Sequence, residues 1–247
     1  MGLATAERLW AEGASVVIVD QDGDAVHAAA GKIGSDVLGV QADVSSEEDV
    51  TRYMSAAVDK FGRVDRIFLN AGIAGGWQSL AETDVEDFDR VVAVNLRGVF
   101  LGLRAAFRQF KAQGSGGTIV TNSSVGGLSA GPALAAYVAS KHGVIGLTKA
   151  AAVQGAPLGI RVNTIAPALI DTPLTRTAAL NTPDPEGFAA VAVTGSPTGR
   201  FGTAAEVASL VVFLLSDEAP FVTGDVVLID GGAMADSPIR PTFNNAT

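Results

Sequence analysis

Six short runs rich in β-branched and other apolar residues punctuate the chain: SVVIVD (15–20), DVLGVQ (36–41), DRIFLN (65–70), GTIVTNSS (117–124), IRVNTIA (160–166) and DVVLID (225–230). They are almost continuously apolar rather than alternating, as strands buried on both faces are. Between them, 22–32, 46–61, 84–112, 133–156 and 203–216 carry apolar residues at three- and four-residue spacing with charges opposite, which predicts helices. The alternation predicts an α/β fold, a doubly wound parallel sheet in three layers, formed as a single domain over 1–247. The stretch 171–200, with Pro173, Pro183, Pro185 and Pro197, reads as a long irregular segment and a candidate substrate lid. The tail 233–247 is polar and reads as a frayed end, with a strap onto a neighbouring subunit as the alternative.

Composition narrows the functional classes. With 48% hydrophobic and 17% charged residues, the 247-residue chain has ample material for a core, which excludes disorder. The run VASLVVFLL (207–215) is half the length needed to cross a bilayer and reads as a buried helix. Glu7 and Arg8 interrupt the N-terminal apolar stretch, so no signal peptide is expected and a cytoplasmic location is. There is no cysteine, and the only histidines are His27 and His142, so thiolate chemistry, a histidine-based triad and a metal site are not expected. A formal charge of -9 speaks against nucleic acid and anionic membranes as partners.

Acid–base chemistry must then come from other side chains. Tyr137 and Lys141 stand four apart in a helical pattern and share a helix face. An ammonium beside a phenol lowers its pKa toward neutrality, which makes the tyrosine a general acid or base. Ser124 lies 13 residues earlier, at the carboxyl end of a predicted strand, where ligands bind in parallel sheets.

SS followed by YVASK, with LNAG (69–72) and VNLRGVF (94–100), resembles the classical short-chain dehydrogenase/reductase superfamily. Further matches are the DV of Asp43 and Val44, GIRVNTIAPALIDTPL (159–174), GRFGTAAEVASLVVFLLSDEAPFVTG (199–224) and IDGG (229–232), so the resemblance covers the whole chain. It implies a Rossmann-like fold and a catalytic set of Asn95, Ser124, Tyr137 and Lys141. Tyr137 would exchange the proton with the substrate oxygen and Ser124 would hold that oxygen. Lys141 would lower the Tyr137 pKa and bind the nicotinamide ribose, and Asn95 would anchor a proton-relay water. For the cofactor, the resemblance implies contacts from Gly2, Asp43, Val44, Asn70, Ala71, Gly72, Tyr137, Lys141, Pro167, Ile170 and Thr172.

Asp20 closes the first strand where an acidic group meets the adenosine ribose, and its carboxylate would repel a 2′-phosphate, so NAD (NADH) is favoured over NADP. The competing reading of Asp20 is a helix cap, a task that Asp22 could share. Two departures from the family stand out: Ala168 replaces a usual glycine, and Gln154–Gly155 replace a common Glu–aromatic pair.

A larger departure is at the front. The chain opens directly into the helix LATAERLWAEG, and the strand and glycine-rich turn that usually precede it are absent except for Gly2. A strand missing from the centre of a sheet leaves two edges with unpaired backbone groups, at roughly 1–3 kcal/mol each. Either the natural start lies upstream, or the neighbouring strands close up, or something else fills the gap; the first is the expectation.

The segments 73–80, 125–135 and 174–190 are mostly apolar, and Trp77, Leu128, Leu134, Leu174 and Phe188 are candidate walls for a small apolar alcohol or ketone. Arg176 is a candidate anion contact. Helices 84–112 and 133–156 resemble those that pair subunits in the family, which implies a homotetramer. The functional expectation is an NAD(H)-dependent oxidoreductase interconverting a secondary alcohol and a ketone. The alternative is a non-catalytic binding or scaffold subunit that cannot hold a dinucleotide.

Overall fold

A computed structural model describes residues 1–131, 133–182 and 184–235. It contains helices α1 (Gly2–Ala11), α2 (Gly23–Ile33), α3 (Glu47–Phe61), α4 (Val85–Val92), α5 (Gly98–Ala112), α6 (Ala135–Gly155), α7 (Pro173–Leu180), α8 (Pro185–Thr194) and α9 (Ala204–Leu215). The strands are β1 (Val17–Asp20), β2 (Leu38–Gln41), β3 (Arg66–Leu69), β4 (Gly117–Asn122), β5 (Ile160–Pro167) and β6 (Val226–Ile229), and all pair in parallel. Each falls within the run that predicts it, save for the last residue of β5.

The helices cover the strands from two sides. α5 and α6 pack on one face of β4 and β5 and α9 on the other, with α1 against α9. The period-two geometry of a strand explains how both faces are filled. Ile119, Ile160 and Val162 join Phe110 and Val144 in the core beneath α5 and α6, whereas Val120 and Ile165 join Val207, Val211 and Leu214 beneath α9. The apolar run 207–215 is thus a buried helix, and no helix of the described residues is long and apolar enough to cross a membrane.

The sheet is in two parts. β3, β4, β5 and β6 form one ladder in that order, and β1 pairs only with β2. Among the described residues β1 and β3 share no ladder, so the strands on either side of the expected gap do not close up.

The segment 171–200 is not irregular: it holds α7 and α8. Pro173 and Pro185 each occupy the first position of a helix, where the missing N–H costs nothing and the fixed φ is helical. Thr172 caps α7 through its side chain. Two prolines that read as breakers are helix starts. The roots of this segment are joined by backbone bonds, Asp171 N donating to Gly202 O at 2.8 Å and Gly202 N to Leu169 O at 3.1 Å. Pro183, and the tail beyond Ala235, lie outside the described residues.

Candidate active site

The carboxyl end of β4 carries the first groups. Asn122 is the last strand residue, and Ser124 follows as the cap of a 3-10 turn over Val125–Gly127, accepting a bond from Gly126 N at 3.1 Å. Its hydroxyl also lies 3.4 Å from Pro167 O, at the end of the neighbouring β5. From α6, Tyr137 stands beside Ser124, its ring and the Ser124 hydroxyl both lying within contact of a Cβ placed at Gly126. One turn later Lys141, only 3% exposed, donates from Nζ to Asn122 O at 2.7 Å and stands 5.5 Å from the Tyr137 ring centroid.

The electrostatics differ from the simple expectation of an ammonium pulling a phenol down. Burial pushes the Tyr137 hydroxyl above its ordinary value, and the neighbouring Ser124 hydroxyl is the opposing influence. Burial likewise brings the Lys141 ammonium down to about 8. Lys141 therefore stays mostly charged at neutral pH, but its charge is weakly held.

Asn95 comes from a different element. The helix that the sequence predicts over 84–112 is interrupted by a π-helical turn, Ala93–Arg97, that joins α4 to α5 and places Asn95 at its centre, fully buried. Its carboxamide is spent on the protein: Oδ1 accepts from Ile73 N at 2.8 Å, and Nδ2 donates to Ile73 O at 2.9 Å and to Ser140 Oγ at 3.1 Å. This clamps the loop after β3 onto the turn. A π-bulge at a functional site is common, but apolar spacing alone does not signal one.

The loop residues Asn70, Ala71 and Gly72 run past Lys141. A Cβ added at Gly72 would sit 3.2 Å from Asn95 Oδ1 and 3.4 Å from Lys141 Nζ. Asn122 Nδ2 is 3.4 Å from Asn70 O and 3.3 Å from Asn70 Oδ1, and Asn122 Oδ1 is buried without a partner. Gly2 opens α1 beside Asn70: a Cβ there would lie 2.9 Å from Asn70 Nδ2.

At the far end, Asp20 closes β1 exposed, and the cap of α2 is Asp22, which accepts from Ala25 N at 2.9 Å. Asp20 is therefore not the cap, although one of its oxygens accepts from Asp22 N at 3.1 Å. Asp43 turns inward on its own loop, accepting from Ser45 N and Ser45 Oγ, both at 2.8 Å. It lines a cleft of about 630 Å³ with Gln21, His27, Gln41, Asp49 and Arg52. Val44 packs at Gly98, whose added Cβ would be 3.1 Å from Val44 Cγ2.

Three side chains on this side are already engaged within the protein. The Ile170 side chain is buried in the α9 core and makes no open wall, so a ligand would meet only its backbone. The Thr172 hydroxyl is engaged with Thr175 N at 3.3 Å and with Thr175 Oγ1 at 3.1 Å. Arg176 is not a free anion contact, because it pairs with both Asp171 oxygens at 2.8 and 3.0 Å. Ala168 stands in for the family's glycine without a left-handed φ, since Leu134 alone among described non-glycine residues has one.

The candidate walls are spread around the opening. Trp77 and Phe188 meet edge-to-face, centroids 6.1 Å apart at 88°, joining the loop after β3 to α8. Leu128 and Leu174 are exposed, and Leu134 sits at φ 67° immediately before α6.

Residues 1–234 match the family model described as enoyl-(acyl carrier protein) reductase. The chain belongs to the short-chain dehydrogenase/reductase superfamily. Levodione reductase of Leifsonia aquatica is 41% identical over 242 residues, covering 95% of this chain and 90% of that protein. Cyclohexanol dehydrogenase of Acinetobacter sp. (strain SE19) is 39% identical over 234 residues, covering 94% and 89%. Among solved structures, a 3-ketoacyl-(acyl-carrier-protein) reductase from Brucella melitensis complexed with NADH aligns with a TM-score of 0.85 at 37% identity, over 94% of this chain and 93% of that one. A crystal structure of levodione reductase aligns at 0.91, over 96% and 94%. The parallel α/β architecture is the one these structures share.

Proposed function

We propose that this short-chain dehydrogenase/reductase, an oxidoreductase acting on CH–OH groups, interconverts a small apolar secondary alcohol and its ketone, with NAD(H) as the cofactor. The observation that carries the reading is the cluster of Ser124, Tyr137 and Lys141 at the end of β4, with a buried ammonium 5.5 Å from the phenol ring and bonded to Asn122 O. Tyr137 gives the proton to the substrate oxygen in reduction and takes it in oxidation, while Ser124 donates to that oxygen. The Lys141 charge favours the phenolate. The Asn95 carboxamide is already committed, so its part in a proton relay falls to its backbone.

The residues fit a dinucleotide. Gly2 and Gly72 bring the backbone close to Asn70, Asn95 and Lys141, where an added Cβ would crowd those side chains, and Asn122 Oδ1 is a buried acceptor without a partner. Asp20 and Asp43 would face the adenosine end, where Asp20 accepts from ribose hydroxyls and disfavours a 2′-phosphate. Asn70 to Gly72 would pass beneath the ribose, Lys141 would hold the nicotinamide ribose, and Pro167, Ile170 and Thr172 would border the nicotinamide. Bound cofactor would supply the hydride as NADH in ketone reduction and accept it as NAD in alcohol oxidation. The pairing of Trp77 with Phe188, and the ring-shaped substrates named for levodione reductase and cyclohexanol dehydrogenase, favour an alicyclic alcohol or ketone.

A homotetramer is part of the proposal. The face formed by the π-helical turn, α5 and α6 has an almost wholly apolar groove of about 440 Å³ along Leu96, Gly143, Gly146 and Leu147, with Phe100 48% exposed beside it. A second copy turned by a twofold axis offers the same Phe100 to the same groove.

The break between β1 and β3 favours the second reading, a subunit that cannot hold a dinucleotide. Calorimetric titration with NADH and NADPH separates the two, followed by cyclohexanol oxidation read at the NADH absorbance band. Tight binding with preference for NADH, and turnover lost by at least about a thousandfold in Tyr137→Phe at unchanged NADH affinity, is the expected result. Absence of binding by either nucleotide hands the protein to the scaffold reading.

A further inference from the structure

A second serine is built into the same strand end. Ile119 lies in the core under α5 and α6, and Thr121 Oγ1 meets Thr148 Oγ1 of α6 at 2.7 Å, so odd-numbered residues of β4 face that helix. Ser123 continues the series just past the strand. Its buried hydroxyl donates to the main-chain oxygen of Lys141 at 2.9 Å. That oxygen lies in the interior of α6, so the bond is no helix cap; it ties helix to strand at the turn that carries the ammonium.

Lys141 is thereby gripped at both ends by consecutive residues. Asn122 O accepts from its Nζ at 2.7 Å, Ser123 Oγ donates to its carbonyl, and the next residue, Ser124, stands beside Tyr137. Gly127 closes the arrangement from the other side: a Cβ there would be 2.5 Å from Ser123 Oγ and 2.8 Å from Lys141 O.

We propose that Ser123 is a positioning residue, whose bond to the Lys141 carbonyl sets α6 on β4 and so fixes where the Lys141 ammonium and the Tyr137 hydroxyl meet Asn122 and Ser124. The role rests on the reading of Ser124, Tyr137 and Lys141 as the reacting groups. The Thr121–Thr148 tie, farther along the same two elements, holds the helix without touching those groups and is the natural control. Around Nζ stand Asn122 O from β4, the Tyr137 ring from α6 itself, and Gly72 of the loop after β3. Among the described residues no hydrogen bond or ion pair brings a charged side chain to it, so a shift of the helix registers directly in how Lys141 titrates.

The test labels the lysine ε-carbons with ¹³C, assigns Lys141 through Lys141→Arg, and follows its titration by NMR beside the pH profile of cyclohexanol oxidation. Ser123→Ala is expected to move the Lys141 midpoint by roughly half a pH unit or more. It should lower kcat by about tenfold, with KM and NADH affinity within about twofold. Gly127→Ala, which strains the same bond, is expected to act in the same direction and serves as the readout if Ser123→Ala does not fold. Thr148→Val is expected to lower Tm while leaving the midpoint and the profile in place. The proposal is overturned if Ser123→Ala titrates and turns over like the wild type, or if Thr148→Val moves Lys141 as far as Ser123→Ala does. If the wild type oxidises no alcohol yet Ser123→Ala alone shifts Lys141, the positioning role stands and the functional reading falls.

Discussion

In β4 and β5 every residue but Gly117 and Arg161 is buried, whereas in β1 and β2 only Val40 is. The first pair has helices on both faces and a strand along each outer edge; the second has one ladder of four residue pairs. Ser124, Tyr137, Lys141 and Asn95 are held by the first. Asp20 and Asp43, the groups placed toward the adenosine end, belong to the second. Side-chain links bridge the two parts: Arg97, beside Asn95, donates to Ser45 O next to Val44, and Arg8 of α1 lies 3.5 Å from Ser209 of α9. Groups that must meet within a few tenths of an ångström stand on doubly covered strands, and groups that hold a flexible ligand stand on a lighter unit.

The largest expected effect tests that contrast directly. Native-state hydrogen exchange should protect the amides of Ile119, Val120 and Thr121 at least about a thousandfold more than those of Val17, Ile18 and Val19, a gap of about 4 kcal/mol. Equal protection would show that the two sheets open as one unit. NADH, if it spans both, should narrow the gap by protecting β1 more than β4.

The strand and helix layout was legible in the sequence, but the division of the sheet was not. The strands announced themselves as short apolar runs such as the TIV of β4, buried on both faces, and the tyrosine–lysine pair lies in a stretch with helical periodicity. The two helices of 173–194 were hidden because Pro173 and Pro185 mark helix starts as readily as breaks, and the cap at Thr172 is the clue that decides. The π-helical turn at Asn95 leaves no periodic trace. Nor does composition reveal that the Asn95 carboxamide is spent on Ile73, that Arg176 is neutralised by Asp171, or that Ser123 reaches the Lys141 backbone; each depends on a partner remote in sequence or on the exact turn of the chain. The same holds for Tyr137: spacing reveals the neighbouring ammonium but not the burial that pushes the hydroxyl up.

Second in size is the cost of keeping a cation in the well-covered part. Lys141 has its pKa lowered from 10.5 to about 8, so the unfolded chain binds the extra proton between those values. Stability should therefore rise with pH from about 8 to 10.5 and be penalised below that window. Lys141→Met removes a penalty on the order of 3 kcal/mol and strands Asn122 O at about 1, a net gain of about 2 kcal/mol at pH 7. Urea unfolding at pH 7 and above 10.5 checks it: the gain should vanish at the higher pH, and a gain independent of pH would assign it to packing.

On the lighter unit the effects should fall on binding. Asp20→Asn is expected to weaken NADH and improve NADPH, with a shift in their ratio of about tenfold, or about 1.4 kcal/mol. Tyr137→Phe should leave the ratio unchanged. Calorimetric Kd values for both nucleotides test the pair, and an Asp20→Asn ratio equal to that of the wild type would move cofactor choice elsewhere, with Gln21 the neighbour to examine next.

The smallest effect asks whether α9 serves one part or both. Thr203 and Glu206 cap it reciprocally, Thr203 Oγ1 accepting from Glu206 N at 3.2 Å and Glu206 Oε2 from Thr203 N at 2.8 Å. The Arg200 guanidinium, and then the bonds from Thr203, hold the Glu206 carboxyl down at about 2. A carboxyl depressed on folding stabilises above its ordinary range and stops doing so as the pH falls through about 2, so the cap should persist in mild acid. Thr203→Ala is expected to cost about 1 kcal/mol in urea unfolding at pH 7. Because α9 lies on β4 and β5 and also carries α1, the loss should appear as faster exchange in β4 and in α1 alike. If only α1 and β1 loosen, α9 is the hinge on which the lighter part hangs, and the four-stranded sheet holds itself without it.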